Sequence, residues 1–126
     1  AWTQAGAKVV TTCPDSSDPA SKGDFSLGMP SHLLHLVRYN VAVRQYSVGK
    51  PHPLMVRAML KHLPKIALEQ ILFVGDTLAT DIQMAEEHGF RSALVLTGNT
   101  KREALKTYTI EPDYILESVA DLLDYI

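Results

Sequence analysis

The sequence predicts an α/β fold built on a parallel sheet, and three observations predict it. Two apolar runs, residues 71–74 (ILFV) and 93–97 (ALVLT), read as strands covered on both faces. Segments of helical periodicity alternate with strand-like runs from Pro53 onward in the order α-β-α-β-α-β-α, which calls for parallel strands with helices packed on the sheet. Finally, Gly75-Asp76 directly follows the first apolar run, and a second aspartate, Asp81, comes five positions later. In sheets of this kind ligands bind beyond the carboxyl ends of the strands.

The elements follow in order. Residues 8–13 (KVVTTC) form a β-branched run closed by Pro14-Asp15 and predict a strand. Residues 16–28 are rich in Ser, Asp, Pro, Lys and Gly and predict a loop. Pro30 suits a first helical turn, and Leu33, Leu34, Leu36 and Val37 supply its apolar stripe. Residues 41–48 alternate loosely and predict a strand. Pro53 opens a helix with Met55, Met59 and Leu63 on one face, joined by Val56 and Leu60, and methionines at that spacing read as core packing.

A helix over residues 80–88 should stop at Gly89. Thr100-Lys101-Arg102-Glu103 reads as a capping box at the head of another helix. Residues 113–116 (DYIL) predict a last strand, and Ser118 to Asp121 a cap for a final helix with Leu122 and Leu123 on its apolar face.

Composition narrows the class. The chain has 126 residues, is 46% hydrophobic and 21% charged, and carries a formal net charge of −2, which fits one soluble globular domain and argues against disorder. No apolar run approaches the roughly 20 residues that span a bilayer, and the start AWTQAG has neither the basic nor the apolar region of a signal peptide. Near-neutral charge gives no electrostatic case for nucleic acid or an anionic membrane. The lone Cys13 fits a reducing compartment, so a cytoplasmic location is expected.

The diacidic turn points to chemistry. Gly75 leaves room for the backbone to approach a ligand, and a loop that folds back brings both carboxylates to one space. Like charges there repel, and a site that keeps both ionised needs a cation. Two hard oxygen donors with room for waters suit Mg²⁺. The bland reading makes Thr77, Thr80 and Asp81 turn and cap residues, since Asp is favoured in a first helical turn. It explains Asp76 less well. Lys50, locked between Gly49 and Pro51 after a predicted strand, can pair with acids or reach a phosphate. Lysine, two acids and a metal together would neutralise a transferring phosphoryl group. His32, His35, His62 and His88 match no metal spacing, and His52 is read as having no role.

Gly49-Lys50-Pro51 followed by Gly75-Asp76 and Thr80-Asp81 resembles motifs three and four of the haloacid-dehalogenase (HAD) superfamily. The segments VGKPHPLMVRAML, ILFVGDTLATDIQMAEEHGF, SALVLTGNT and PDYILESVADL are similar, in order, to its nitrophenyl-phosphate, phosphoglycolate and pyridoxal-phosphate phosphatase branch. The resemblance implies a HAD-like, Rossmann-like half core over residues 48–126, and the carboxyl-terminal part of an α/β cap domain over residues 1–47. It implies a Mg²⁺-dependent phosphatase acting on a small phosphorylated metabolite. Asp76 would bind Mg²⁺. Asp81 would hold the metal, a metal-bound water or Lys50, and Lys50 would steady the nucleophile and the phosphoryl oxygens. TTCPD resembles the family's Thr-Asn-Pro-Asp, which makes Asp15 a substrate-side candidate, with Cys13 standing where the family has Asn.

The family's nucleophile lies in an Asp-x-Asp pattern, and none occurs here. The expectation is therefore that the chain is the carboxyl-terminal portion of a longer phosphatase and is inactive alone. Its expected partners are the small substrate and the missing amino-terminal part of the same protein, with a homodimer as one option; nucleic acid and membrane are not expected. Two alternatives stay open. One is a non-catalytic protein that keeps the fold to bind a phosphorylated ligand or a partner chain. The other is an unrelated receiver-like α/β domain with a carboxylate metal site, which the GKP motif counts against.

Overall fold

A computed structural model of the chain describes residues 5–6, 8–12, 17–19, 25–27, 45–63 and 65–125. It comprises two units, Ala1–Met55 and Val56–Ile126. The helix predicted after Pro30 lies outside the described residues, as do Cys13 and Asp15.

The first unit carries β1 (Val9–Thr11), β2 (Ser17–Pro19), β3 (Phe25–Leu27) and β4 (Gln45–Ser47). β1 and β4 pair in parallel, Val10 opposite Tyr46, and the Val48 N–H extends the pairing to the Thr11 carbonyl at 2.8 Å. β2 and β3 pair antiparallel, Asp18 opposite Ser26. This corrects the loop predicted over residues 16–28. A three-residue strand is too short to show a hydrophobic period, and pairing to a partner strand overrides poor intrinsic propensity.

α1 (Pro53–Leu60) begins at the predicted proline, with the Leu54 N–H donating to His52 Nδ1 at 3.2 Å. The peptide between Lys50 and Pro51 is cis. The buried face of α1 is set by Val56, with Met59 and Leu60 partly buried, whereas Met55 is 43% exposed. The predicted stripe is thus rotated by one residue.

In the second unit, β5 (Leu72–Gly75), β6 (Arg91–Val95) and β7 (Tyr114–Leu116) form a parallel sheet in that order, as the alternation predicts. β6 begins two residues earlier than predicted. Between β5 and β6 lie a π-helical turn, Leu78–Ile82, and α2 (Gln83–His88), where one continuous helix is predicted. α2 ends on Gly89 at φ 74°, and the Phe90 N–H returns to the Ala85 carbonyl at 2.9 Å, a left-handed stop that glycine adopts without steric cost.

Period-two alternation divides the sheet's residues between two faces. Phe73 packs with Val56, Met84, Ala85 and Phe90, its ring stacked on Phe90 at 6.5 Å between centroids. Leu94 packs with Leu78 and Ile82, which ties the π turn to the sheet. Ala93, Val95 and Leu116 form a separate cluster with Val74 and Leu122. That cluster covers its face incompletely. Leu72 is 40% exposed and lines a cleft of about 320 Å³ with Ala93, Tyr114 and Tyr125, so residues 71–74 are not covered on both faces as predicted.

The last segments are 3-10 helices, Arg102–Thr107 and Val119–Tyr125. Ser118 caps the second as predicted: its Oγ accepts the Ala120 N–H at 2.9 Å, and Asp121 Oδ2 accepts the Ser118 N–H at 3.0 Å. Leu122 packs inward, but Leu123 is 75% exposed, because a three-residue period does not carry adjacent leucines onto one face.

Asp113 ties the start of β7 to β6. Its carboxylate accepts the Ser92 N–H at 2.8 Å, the Ser92 hydroxyl at 3.1 Å and the Arg91 guanidinium at 2.9 Å. The Ser92 N–H, opposed in part by burial and joined by Arg91, holds the Asp113 carboxyl below its ordinary range. A depressed carboxylate contributes stability above its unfolded pKa and loses it as pH falls through the folded one. Asp113→Asn should therefore cost about 1 kcal/mol at neutral pH and flatten the acid limb of stability below about pH 4. Thermal melts of both proteins across that range check it.

Candidate active site

β5 delivers Gly75 to the carboxyl edge of the sheet, and the chain then turns back on itself. Asp81 is the residue it turns around. Its Oδ2 accepts the N–H groups of Asp76 at 3.2 Å and Thr77 at 3.1 Å, and the residue is 2% exposed. Asp81 therefore acts backwards on the preceding loop, where the cap reading would have it serve the helix ahead. The π turn accompanies this arrangement. The Thr77 carbonyl accepts from Asp81 at 2.8 Å and from Ile82 at 3.3 Å, and the wider turn brings the Asp81 side chain over β5.

The loop after β6 closes the other side. The Asn99 N–H donates to Asp76 Oδ2 at 2.8 Å, and the Thr100 N–H to the Asp76 carbonyl at 2.9 Å. The Thr77 hydroxyl donates to Asp76 Oδ1 at 3.3 Å, and Asn99 Nδ2 donates to Thr77 Oγ1 at 3.1 Å. Thr100 Oγ1 accepts the Leu78 N–H at 3.1 Å. The capping box predicted at Thr100 is thus corrected. Its hydroxyl is taken by the π turn, and the following 3-10 helix starts from Lys101 without a side-chain cap.

Two glycines permit the approach. A Cβ on Gly75 would lie 2.6 Å from Asp81 Oδ2, and one on Gly98 would overlap the Asp76 carboxylate. Gly98→Ala should displace Asp76. The expected result is at least about a hundredfold loss of any activity that needs this carboxylate, with about 1–3 kcal/mol of destabilisation. Turnover and denaturant unfolding of that variant check it, and an alanine variant with unaltered turnover would show that Asp76 need not sit where it does.

The loop folds back as expected, but what Asp81 meets is the backbone N–H of Asp76 and Thr77, while the Asp76 carboxylate is held by Thr77 and Asn99. Lys50 lies half-buried in the turn at residues 49–51 of the first unit. Sequence reasoning missed Gly98, Asn99 and Thr100 as site residues and gave Thr77 only a turn role. The available signal was position: residues 96–100 (LTGNT) leave the carboxyl end of the strand beside β5, the edge where such sheets bind ligands.

These residues fit part of a Mg²⁺ shell. Their donors are carboxylate and carboxamide oxygens, and Asn99 Oδ1 is buried with no hydrogen-bond partner among the described residues. No group of three or more His, Cys, Asp or Glu side chains gathers to hold a metal among the described residues.

Comparison with known proteins supports the fold. The family model described as HAD-hydrolase-like matches residues 47–122, and the chain belongs to that family. It is 29% identical over 119 residues to the dihydroxyacetone phosphatase of Corynebacterium glutamicum, covering 94% of this chain and 42% of that protein. It is 32% identical over 117 residues to the sugar-phosphatase AraL of Bacillus subtilis, covering 93% and 42%. Among solved structures, the 4-nitrophenylphosphatase from Thermotoga maritima superposes with a TM-score of 0.79 at 26% identity, covering 96% of this chain and 46% of that one. The chain thus spans less than half the length of these relatives. Among the described residues, no helix is long and apolar enough to cross a membrane.

Proposed function

We propose that the protein is a Mg²⁺-dependent phosphatase acting on a small phosphorylated metabolite, with its nucleophile carried outside residues 1–126. The observation that carries this reading is the pair Asp76 and Asp81, folded together at the carboxyl end of a parallel strand and clamped by backbone N–H groups. The names of its relatives, a dihydroxyacetone phosphatase and a sugar phosphatase among them, support the substrate class.

Asp76 would hold Mg²⁺, which supplies charge neutralisation for the phosphoryl group in transfer. Asp81 holds the turn that presents Asp76 and is assigned a second, direct role toward the metal or Lys50. Lys50 is assigned to the phosphoryl oxygens, and Asp15 to the substrate side. Both assignments follow from motif and not from distance. A cytoplasmic location fits the lone cysteine.

The test is turnover of a panel of phosphate monoesters, sugar and triose phosphates included, by the full-length protein with Mg²⁺ and with EDTA. Mg²⁺-dependent hydrolysis of at least one monoester is expected. Binding without turnover across the panel would favour the non-catalytic alternative.

A further inference from the structure

Asp76 has its two carboxylate oxygens held by two different residues, and those residues hold each other. Oδ2 accepts the Asn99 N–H at 2.8 Å, Oδ1 accepts the Thr77 hydroxyl at 3.3 Å, and Asn99 Nδ2 donates to that hydroxyl oxygen at 3.1 Å. We propose that Thr77 and Asn99 are positioning residues that fix the rotation of the Asp76 carboxylate toward a divalent cation. The inference rests on the metal role proposed for Asp76.

The direction of the hydrogen bonds carries it. A carboxamide nitrogen only donates, so Asn99 Nδ2 occupies a lone pair of Thr77 Oγ1 and leaves the single hydroxyl proton for Asp76. An aspartate's terminal torsion is broad and roughly two-fold, so one hydrogen bond holds it poorly, while opposed bonds on both oxygens select one plane. A carboxylate offers about four lone-pair sites. These two bonds leave acceptor capacity on each oxygen for a cation.

The holders are themselves held. The Thr77 N–H is bonded to Asp81 Oδ2, and the Asn99 loop comes this close because residue 98 has no Cβ. Asn99 Oδ1 is buried without a partner among the described residues, while its Nδ2 is committed to Thr77 Oγ1. Outer-shell partners of this kind typically change metal affinity about 10–100-fold when removed.

The experiment is a Mn²⁺ titration of the full-length protein followed by electron paramagnetic resonance of the free ion. Asp76→Asn, Thr77→Val, Thr77→Ser and Asn99→Ala are compared with the unaltered protein, and each melting temperature is recorded. Thr77 is in extended backbone at φ −124° and ψ 117°, which valine adopts readily. Thr77→Val should weaken Mn²⁺ binding about tenfold, and Thr77→Ser should restore it to within about twofold. Asn99→Ala, which keeps the backbone donor, should weaken binding by a smaller factor and carries the test if the valine variant does not fold. Loss of binding in Asp76→Asn, with Thr77→Val and Asn99→Ala both unchanged, would overturn the positioning role alone. Unaltered Mn²⁺ affinity in Asp76→Asn would remove the metal role of Asp76, and this inference with it.

Discussion

Asp76→Asn in the full-length protein is expected to lower Mg²⁺-dependent phosphatase turnover by at least about 10³-fold, with the fold retained. The substitution keeps the volume of the side chain and an oxygen for the Asn99 N–H, so the loop after β6 has a partner to close on. What it removes is the negative charge at the carboxyl end of β5. A neutral amide is a poor ligand for a hard divalent cation, and added Mg²⁺ should recover little of the loss. The check is turnover against Mg²⁺ concentration, alongside a thermal melt. A variant that melts normally and turns over within a fewfold of the unaltered protein would remove Asp76 from the metal site.

Lys50→Met should have a comparable effect by a different route. Its assigned work is electrostatic: a compact ammonium against the phosphoryl oxygens lowers the barrier where charge is transferred. Methionine keeps the length and loses the charge, so a fall in kcat of about 10²–10³-fold is expected with little change in stability. Lys50→Arg should rescue little, since a planar fork does not replace a point charge held between Gly49 and Pro51. Steady-state kinetics of both variants provide the check, and near-normal turnover in Lys50→Met would leave Lys50 a surface residue.

How far the sequence could be read depended on what kind of contact fixed each feature. The parallel sheet was legible because apolar runs at 71–74 and 93–97 are separated by a segment of helical length, a local pattern with one common topological solution. Gly89 was legible as a stop because its left-handed conformation is a property of one residue. Features set between segments were not. The β2–β3 pairing depends on a partner strand, and the surface left to Leu72 and Leu123 depends on what packs across the sheet.

The site divided along the same line. Asp76 and Asp81 stand five positions apart, and the return of the Asp81 side chain to the Asp76 N–H follows from a tight turn after a strand. Thr100 carries a capping signature, but its hydroxyl meets the Leu78 N–H, 22 positions away in sequence. Asn99 and Gly98 bear on Asp76 across a similar gap, and only their place just beyond the β6 strand signals it.

Under the proposed function, residues 1–126 would carry the metal-binding residues of a phosphatase whose nucleophile lies elsewhere. The most direct measurement is hydrolysis of nitrophenyl phosphate in millimolar Mg²⁺ by residues 1–126 alone, beside the full-length protein. No turnover is expected from residues 1–126, because no Asp-x-Asp pattern occurs among them. Robust turnover is expected from the full-length protein, lost with EDTA and restored by Mg²⁺. Robust hydrolysis by residues 1–126 that disappears in Asp76→Ala would instead place the nucleophile within this chain.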